Sequence, residues 1–213
     1  MTRKVAYGEG RDLLIAATVE VVAKSGLRGL TLRAVAAQAQ VHNSLVGHHF
    51  GNRERLLAAA LEWVVEQSIQ VTSLYDFSSE EAFADAFIES FIDWPELHIF
   101  QSEMILESAR NPIYREPVTR LYARYQEVVE ESLEKIGVHE ERKAVARRIF
   151  ATLDGVVMQY MAGVEVEVLR PVIHDLWNTL RPTPVPLASP SPEQHSPGAA
   201  GVQNSRRTGR ITG

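Results

Sequence analysis

The sequence predicts an all-α protein, with an N-terminal three-helix helix-turn-helix domain followed by a C-terminal helical domain. Two observations carry this. Apolar residues recur at helical spacing from Arg11 to about residue 181, and no alternating apolar segment bounded by turns interrupts them. A third locates the specialised part: residues 41–50, VHNSLVGHHF, set small and polar groups between apolar anchors. With 213 residues and 45% apolar side chains, the chain has enough material for a sizeable core.

The first helix begins at Arg11 with the stripe Leu14, Ile15, Thr18, Val19 and Val22, and is expected to stop at Ser25-Gly26-Leu27. Gly26 suits a left-handed C-terminal cap, and Leu27 can fold back on the last turn. Thr31 offers its hydroxyl as N-cap to the short helix LRAVAAQA, which turns Val35, Ala36 and Ala39 inward. A turn follows at Gln40, and the next segment docks through Val46 and Phe50. A connector helix, RERLLAAALEWVVEQSIQVTSL, starts near Asn52 with Leu56, Ala60, Trp63 and Val64 on one face.

Five more helices are expected over residues 79–93, 95–110, 112–136, 140–163 and 165–181. Pro95 fits a first-turn position and Gly137 a C-terminal stop. Beyond them proline, serine and glycine dominate, a composition that cannot bury enough surface to offset ordering entropy. The expected organisation is therefore a helix-turn-helix domain over residues 1–54, a second helical domain over 55–181, to which the family resemblance carried by residues 11–57 assigns ligand binding and dimerisation, and a disordered tail over 182–213.

Several functions are excluded or disfavoured. The absence of cysteine removes disulfides, thiolate metal sites and cysteine nucleophiles. No uncharged apolar run reaches membrane-spanning length, and MTRKVAYGEGRD lacks a signal-peptide core, so a cytoplasmic protein without a membrane partner is expected. No nucleophile-base set, phosphate loop or metal-ligand spacing stands out, so neither an enzyme, a cofactor nor a metal site is expected. Adjacent His48 and His49 point about 100° apart on a helix and make no metal pair.

Charge is segregated along the chain. Residues 1–56 hold eight Lys/Arg against four Asp/Glu, whereas 57–180 hold ten against twenty-two. A polyanionic partner at the front of the chain accounts for this, and so does a plain solvated surface. Two short helices joined by a tight turn, the second exposing Asn43 and Ser44, have the layout of a helix-turn-helix whose second helix enters a major groove.

Residues 11–57 resemble the N-terminal domain of TetR-family transcriptional regulators. The likeness rests on LLIAATVEVVAKSGLRGLTLRAVAAQAQV and on HHFGNRERLL; ATLDGVVMQYMAG, residues 151–163, is more faintly similar to the family's penultimate helix. The resemblance implies DNA contacts from Arg33, from His42, Asn43, Ser44, Gly47, His48 and His49, and from Arg53 at the start of the connector helix. It also implies a homodimer through residues 140–181, a double-stranded operator and a small-molecule effector that releases a repressor. A transcriptional activator, or a helical small-molecule-binding protein with reduced DNA affinity, reads alike in sequence.

Two positions depart from the family pattern. Gln40 stands where a turn glycine is usual, at a cost of roughly 1 kcal/mol in a left-handed conformation. Gly47 stands where an aromatic residue is usual, which removes a ring contact to DNA and weakens the helix by about 1 kcal/mol.

In the resembling family the later helices enclose a small-molecule pocket. This implies Phe87, Phe91, Trp94, Phe100, Met104, Tyr122, Tyr125 and Met158 as wall candidates, although by spacing alone the same stripes read as core. His98, Gln101, Glu103 and Gln159 are candidates to orient a ligand. His98 and Glu103, five residues apart, make no metal pair and are expected at the solvent-exposed surface.

Overall fold

A computed structural model describes residues 9–72 and 80–180, all within one compact unit. The expected tail lies outside the described residues. The elements are α1 (Glu9–Gly29), α2 (Leu32–Gln38), α3 (Ser44–Phe50), α4 (Arg53–Val71), α5 (Glu80–Asp93), α6 (Pro95–Arg110), a 3-10 turn (Pro112–Tyr114), α7 (Arg115–Lys135), α8 (Arg142–Met161) and α9 (Val166–Leu180). No strand occurs among the described residues, and the all-α expectation is met.

The stop of α1 works differently from the expected cap. Gly26 has φ 65° but ψ 175°, so it breaks the helix without forming a left-handed cap, and a further turn runs on to Gly29. Leu27 is buried there, and its N–H donates to Glu103 Oε2 of α6 at 3.3 Å. The α2 start is as read from sequence: Thr31 Oγ1 accepts the Ala34 N–H at 3.0 Å. The turn after α2 puts Gln40 at φ 56°, with its N–H on the Ala37 carbonyl at 3.1 Å and the Val41 N–H on the Ala36 carbonyl at 3.0 Å. This paired bonding is the Schellman arrangement, so the turn forms without glycine.

Asn52 caps α4 by accepting the Arg55 N–H at 2.8 Å. From there α4 packs against α1 in the first domain and against α6 and α7 in the second. Its buried face includes Leu56, Leu57, Ala60, Leu61 and Val64, against which Leu14, Ile15 and Val22 of α1 complete one continuous core. α1 also packs on α6, so the N-terminal helices rest on both α4 and α6. Arg124 to Glu66 at 2.8 Å and Arg120 to Glu62 at 3.4 Å link α7 to α4, but such exposed pairs contribute only about 0–1 kcal/mol each.

Two expected boundaries shift. Residues 112–114 form a 3-10 turn, with Asn111 Oδ1 accepting the Ile113 N–H at 3.3 Å, so α7 begins at Arg115. Glu141, at φ 48°, sets the start of α8. Gly137 ends the preceding helix as expected, at φ 85°, while the Val138 N–H bonds the Leu133 carbonyl at 2.9 Å.

Candidate nucleic-acid interface and ligand cavity

Val41, Val46 and Phe50 are buried and fix the segment on its neighbours. His42, Asn43, Ser44, Gly47 and His48 are left exposed on one side, with His49 half-buried. His42 and Asn43 precede α3 and lie outside it. The His42 ring folds back so that Nδ1 accepts the Ser44 N–H at 3.3 Å and lies 2.8 Å from Ser44 Oγ. It thereby serves an N-terminal N–H of α3 that the Asn43 side chain leaves unbonded.

A Cβ built on Gly47 meets nothing within 4 Å, so the slot of the usual aromatic residue is open space. One built on Gly10 would meet Leu45 Cδ2 at 3.0 Å and His49 Nε2 at 3.4 Å, which shows how closely α1 backs onto α3. The Arg11 guanidinium lies 5.7 Å from the centroid of the Phe50 ring. Arg33 is exposed on α2.

Arg53 is placed differently from a simple phosphate contact. It is half-buried; its Nη2 donates to the Leu27 carbonyl at 2.8 Å and its Nη1 to the Tyr114 hydroxyl at 3.2 Å. The guanidinium is thus drawn toward the break in α1. Two residues on, Arg55 has an exposed side chain, and the sequence reading passed over it.

The pocket candidates separate into four groups. Phe87 and Tyr125 line a small cavity of about 30 Å³ with Ser68, Thr72, His98 and Gln101. Tyr122 lines a larger groove of about 820 Å³ between α7 and α8. Phe91, Phe100 and Met104 are core residues, and Phe91 packs its ring on Tyr160 at 4.5 Å between centroids. Trp94 and Met158 are 48% and 50% exposed and line neither space. Trp94 is the N-cap residue of α6 just before Pro95, outside both packed helices, and Met158 faces out from α8.

His98 and Gln101 are buried, contrary to the exposure expected of His98. Gln101 Oε1 accepts the Tyr125 hydroxyl at 2.8 Å, and His98 Nε2 lies 3.3 Å from Ser90 Oγ. Burial holds His98 down to about 4, an effect partly opposed by a hydrogen bond to the Ser90 backbone. Glu103 is half-buried on Leu27, and Gln159 is exposed.

Phe150 and Asp154 of α8 form the wall shared by both spaces, and the sequence reading missed Asp154 altogether. Burial pushes the Asp154 carboxyl up to about 6, while a hydrogen bond from the Tyr122 hydroxyl pulls the other way. Burial, and the nearby Asp154 charge, push Tyr122 up to about 12. A single Asp within a helix carries no sequence pattern, so only the packing of α7 on α8 reveals it. No group of three metal-ligating side chains occurs among the described residues, and no described helix is long and apolar enough to cross a membrane.

A helix-turn-helix head with an exposed polar face, set on a helical domain containing a mainly apolar cavity, has the layout of a DNA-binding transcriptional regulator. The family profile described as "Bacterial regulatory proteins, tetR family" matches residues 14–60, and "Tetracyclin repressor-like, C-terminal domain" matches residues 78–179. The chain belongs to the TetR family. The HTH-type nicotine-responsive transcriptional repressor HdnoR of Paenarthrobacter nicotinovorans is 24% identical over 169 residues, covering 75% of this chain and 87% of its own. The HTH-type transcriptional regulator BetI of Paraburkholderia phytofirmans is 38% identical over 63 residues, covering 30% and 32%. A transcriptional regulator from Rhodococcus sp. Rha1 shares the fold at a TM-score of 0.67 with 22% identity, over 80% of this chain and 95% of that one.

Proposed function

We propose that the protein is a homodimeric, ligand-responsive repressor that binds a palindromic operator and releases it when a small molecule occupies the helical domain. The observation that carries this reading is the two-sidedness of residues 41–50: anchors buried, with His42, Asn43, Ser44, Gly47 and His48 exposed together. In a major groove Asn43 and Ser44 meet base edges, and Gly47 lets the backbone approach closely. Arg33 and Arg55 serve phosphates, while Arg53 orients the head through Leu27.

The dimer forms through α8 and α9, whose exposed apolar residues Met158, Met161, Val168 and Val172 form more apolar surface than a lone protomer needs. Gly155, with nothing within 4 Å of a built Cβ, permits close helix approach there. Two heads are then available for successive major grooves about 34 Å apart. The effector cavity is the space around Tyr122, Tyr125, Phe150 and Asp154, with Phe87 in its inner wall. Its walls belong to α4 through α8, so a ligand that wedges them apart moves α4 and the head that α4 carries. A differential affinity of about 1–3 kcal/mol between the two states lowers operator affinity roughly 5- to 150-fold.

Sedimentation tests the assembly. The protein is expected as a dimer, bound as two protomers per operator duplex. Val168→Glu is expected to give a monomer with much weaker DNA binding, and a monomeric wild-type protein that still holds one operator with full affinity would refute the reading.

A further inference from the structure

We propose that operator binding takes up a proton at His48, whose imidazolium then meets a backbone phosphate, so that affinity falls as pH rises. The proposal rests on the DNA-binding reading above and adds the charge state of the bound head. Residues 41–52, which that reading assigns to the groove, contain no Lys, Arg, Asp or Glu, yet hold three of the chain's seven histidines. Arg33 and Arg55 are exposed on α2 and α4, and Arg53 is turned to the Leu27 carbonyl at 2.8 Å. Any positive charge that the segment itself presents to DNA therefore comes from imidazole.

The three rings are not equivalent. His42 Nδ1 accepts the Ser44 N–H at 3.3 Å and lies 2.8 Å from Ser44 Oγ, so a proton on that nitrogen would cost α3 its cap. His49 is half-buried, and a Cβ built on Gly10 of α1 would meet its Nε2 at 3.4 Å, which leaves that nitrogen little room for a phosphate oxygen. His48 is exposed. It lies one turn beyond Ser44 on the same face, and Gly47 beside it carries no side chain to cover it. It also stands in the last turn of α3, where the helix dipole favours a cation. The His49 ring sits edge-on to it at 5.2 Å, close enough for one imidazolium to oppose a second.

On the helices packed against α3, the charged groups at the adjoining ends are Glu9, Arg11 and Asp12 of α1, Arg33 of α2, and Glu54 and Arg55 beside Arg53 of α4. These are present with or without DNA. The phosphates are not, and they favour the charged imidazole, so His48 binds its proton more tightly in the complex than in the free protein. The added affinity is full in acid and is lost as pH rises through the range of histidine, between about pH 5 and 8. A proton held about ten times more tightly in the complex makes binding about fivefold tighter at pH 6 than at pH 8.

The full-length protein is titrated against a fluorescent duplex selected from genomic DNA at about pH 6, in a salt series at about pH 6 and about pH 8. The expected result is that fivefold difference, with a slope of affinity against salt steeper by up to about one unit at the lower pH. His48→Gln should remove both effects, His48→Arg should keep the steep slope at either pH, and His139→Gln, between α7 and α8, should behave as wild type. Thermal melts verify that each variant is folded. Asp154, held at about 6, titrates in the same range from the second domain, so a contribution from it would survive in His48→Gln. Wild-type affinity flat with pH, an unchanged salt slope, or a pH dependence that survives in His48→Gln overturns the proposal while the DNA-binding reading stands. Recovery of no duplex even at low salt overturns the DNA-binding reading, and proton uptake with it.

Discussion

Arg53 Nη2 lies 2.8 Å from the carbonyl oxygen of Leu27, on the residue that follows the break in α1. The N–H of that same Leu27 is held by Glu103 of α6 at 3.3 Å, and Arg53 also reaches the Tyr114 hydroxyl. The end of α1 is thus tied to the start of α4 and to the second domain through one backbone unit. The proposed release mechanism would therefore pass through this point, where α6 and the 112–114 turn meet the end of α1.

Arg53→Ala should therefore weaken operator binding without changing the slope of affinity against salt, because an internal brace is lost and no phosphate contact with it. Arg55→Ala should flatten that slope by about one unit. Binding titrations across a salt series distinguish the two, and a flattened slope for Arg53→Ala would return Arg53 to the phosphates.

The two departures from the family pattern give backbone predictions. Gly47→Ala should stabilise the protein by about 1 kcal/mol, since the added methyl meets nothing and helix propensity improves. Gln40→Gly should stabilise by up to about 1 kcal/mol by relieving the positive φ. Urea melts measure both; a destabilised Gly47→Ala would mean that the slot is not open.

Asn43 and Ser44 should determine sequence preference. Replacing either with alanine is expected to change discrimination by about 1–3 kcal/mol at particular base pairs, read from binding to a set of single-substituted operators. A uniform loss across the set would assign them to positioning alone. Ser44 also has a positioning part, because its N–H donates to His42 Nδ1 and its hydroxyl lies 2.8 Å from that nitrogen.

Half-buried Asp154 and buried His98 give stability opposing dependences on pH. Asp154 binds a proton more tightly folded than unfolded, at about 6 against 3.8, so its contribution is greatest in acid and is lost as pH rises through about 6. His98, held near 4 against 6.5, acts in reverse, and its contribution is lost as pH falls through about 4. Asp154→Asn should raise the melting temperature near neutral pH, by an amount worth at most about 3 kcal/mol, and should leave it unchanged near pH 4. It should also steepen the acid destabilisation due to His98. An equal gain at every pH would mean that Asp154 is not the titrating group.

The sequence made the reading head more legible than the cavity, for a physical reason. Thr31, Gln40 and Asn52 act within three or four residues of their own position, so caps and turns can be read locally. The cavity depends on which faces of α4, α6, α7 and α8 meet, information that helical periodicity does not contain. Aromatic stripes therefore identified Phe87, Tyr122 and Tyr125 at the cavities together with core residues such as Phe100, and placed exposed Trp94 and Met158 among them. The inward turn of Arg53 was hidden for the same reason, since Leu27 and Tyr114 are remote from it in sequence.

The most direct test of the account is selection of duplex fragments from genomic DNA by the purified protein, followed by footprinting of the selected site. The account predicts a palindrome with two protected half-sites about one helical turn apart, occupied by two protomers. Recovery of no preferred sequence even at low salt, or a single half-site filled by one protomer, would contradict it.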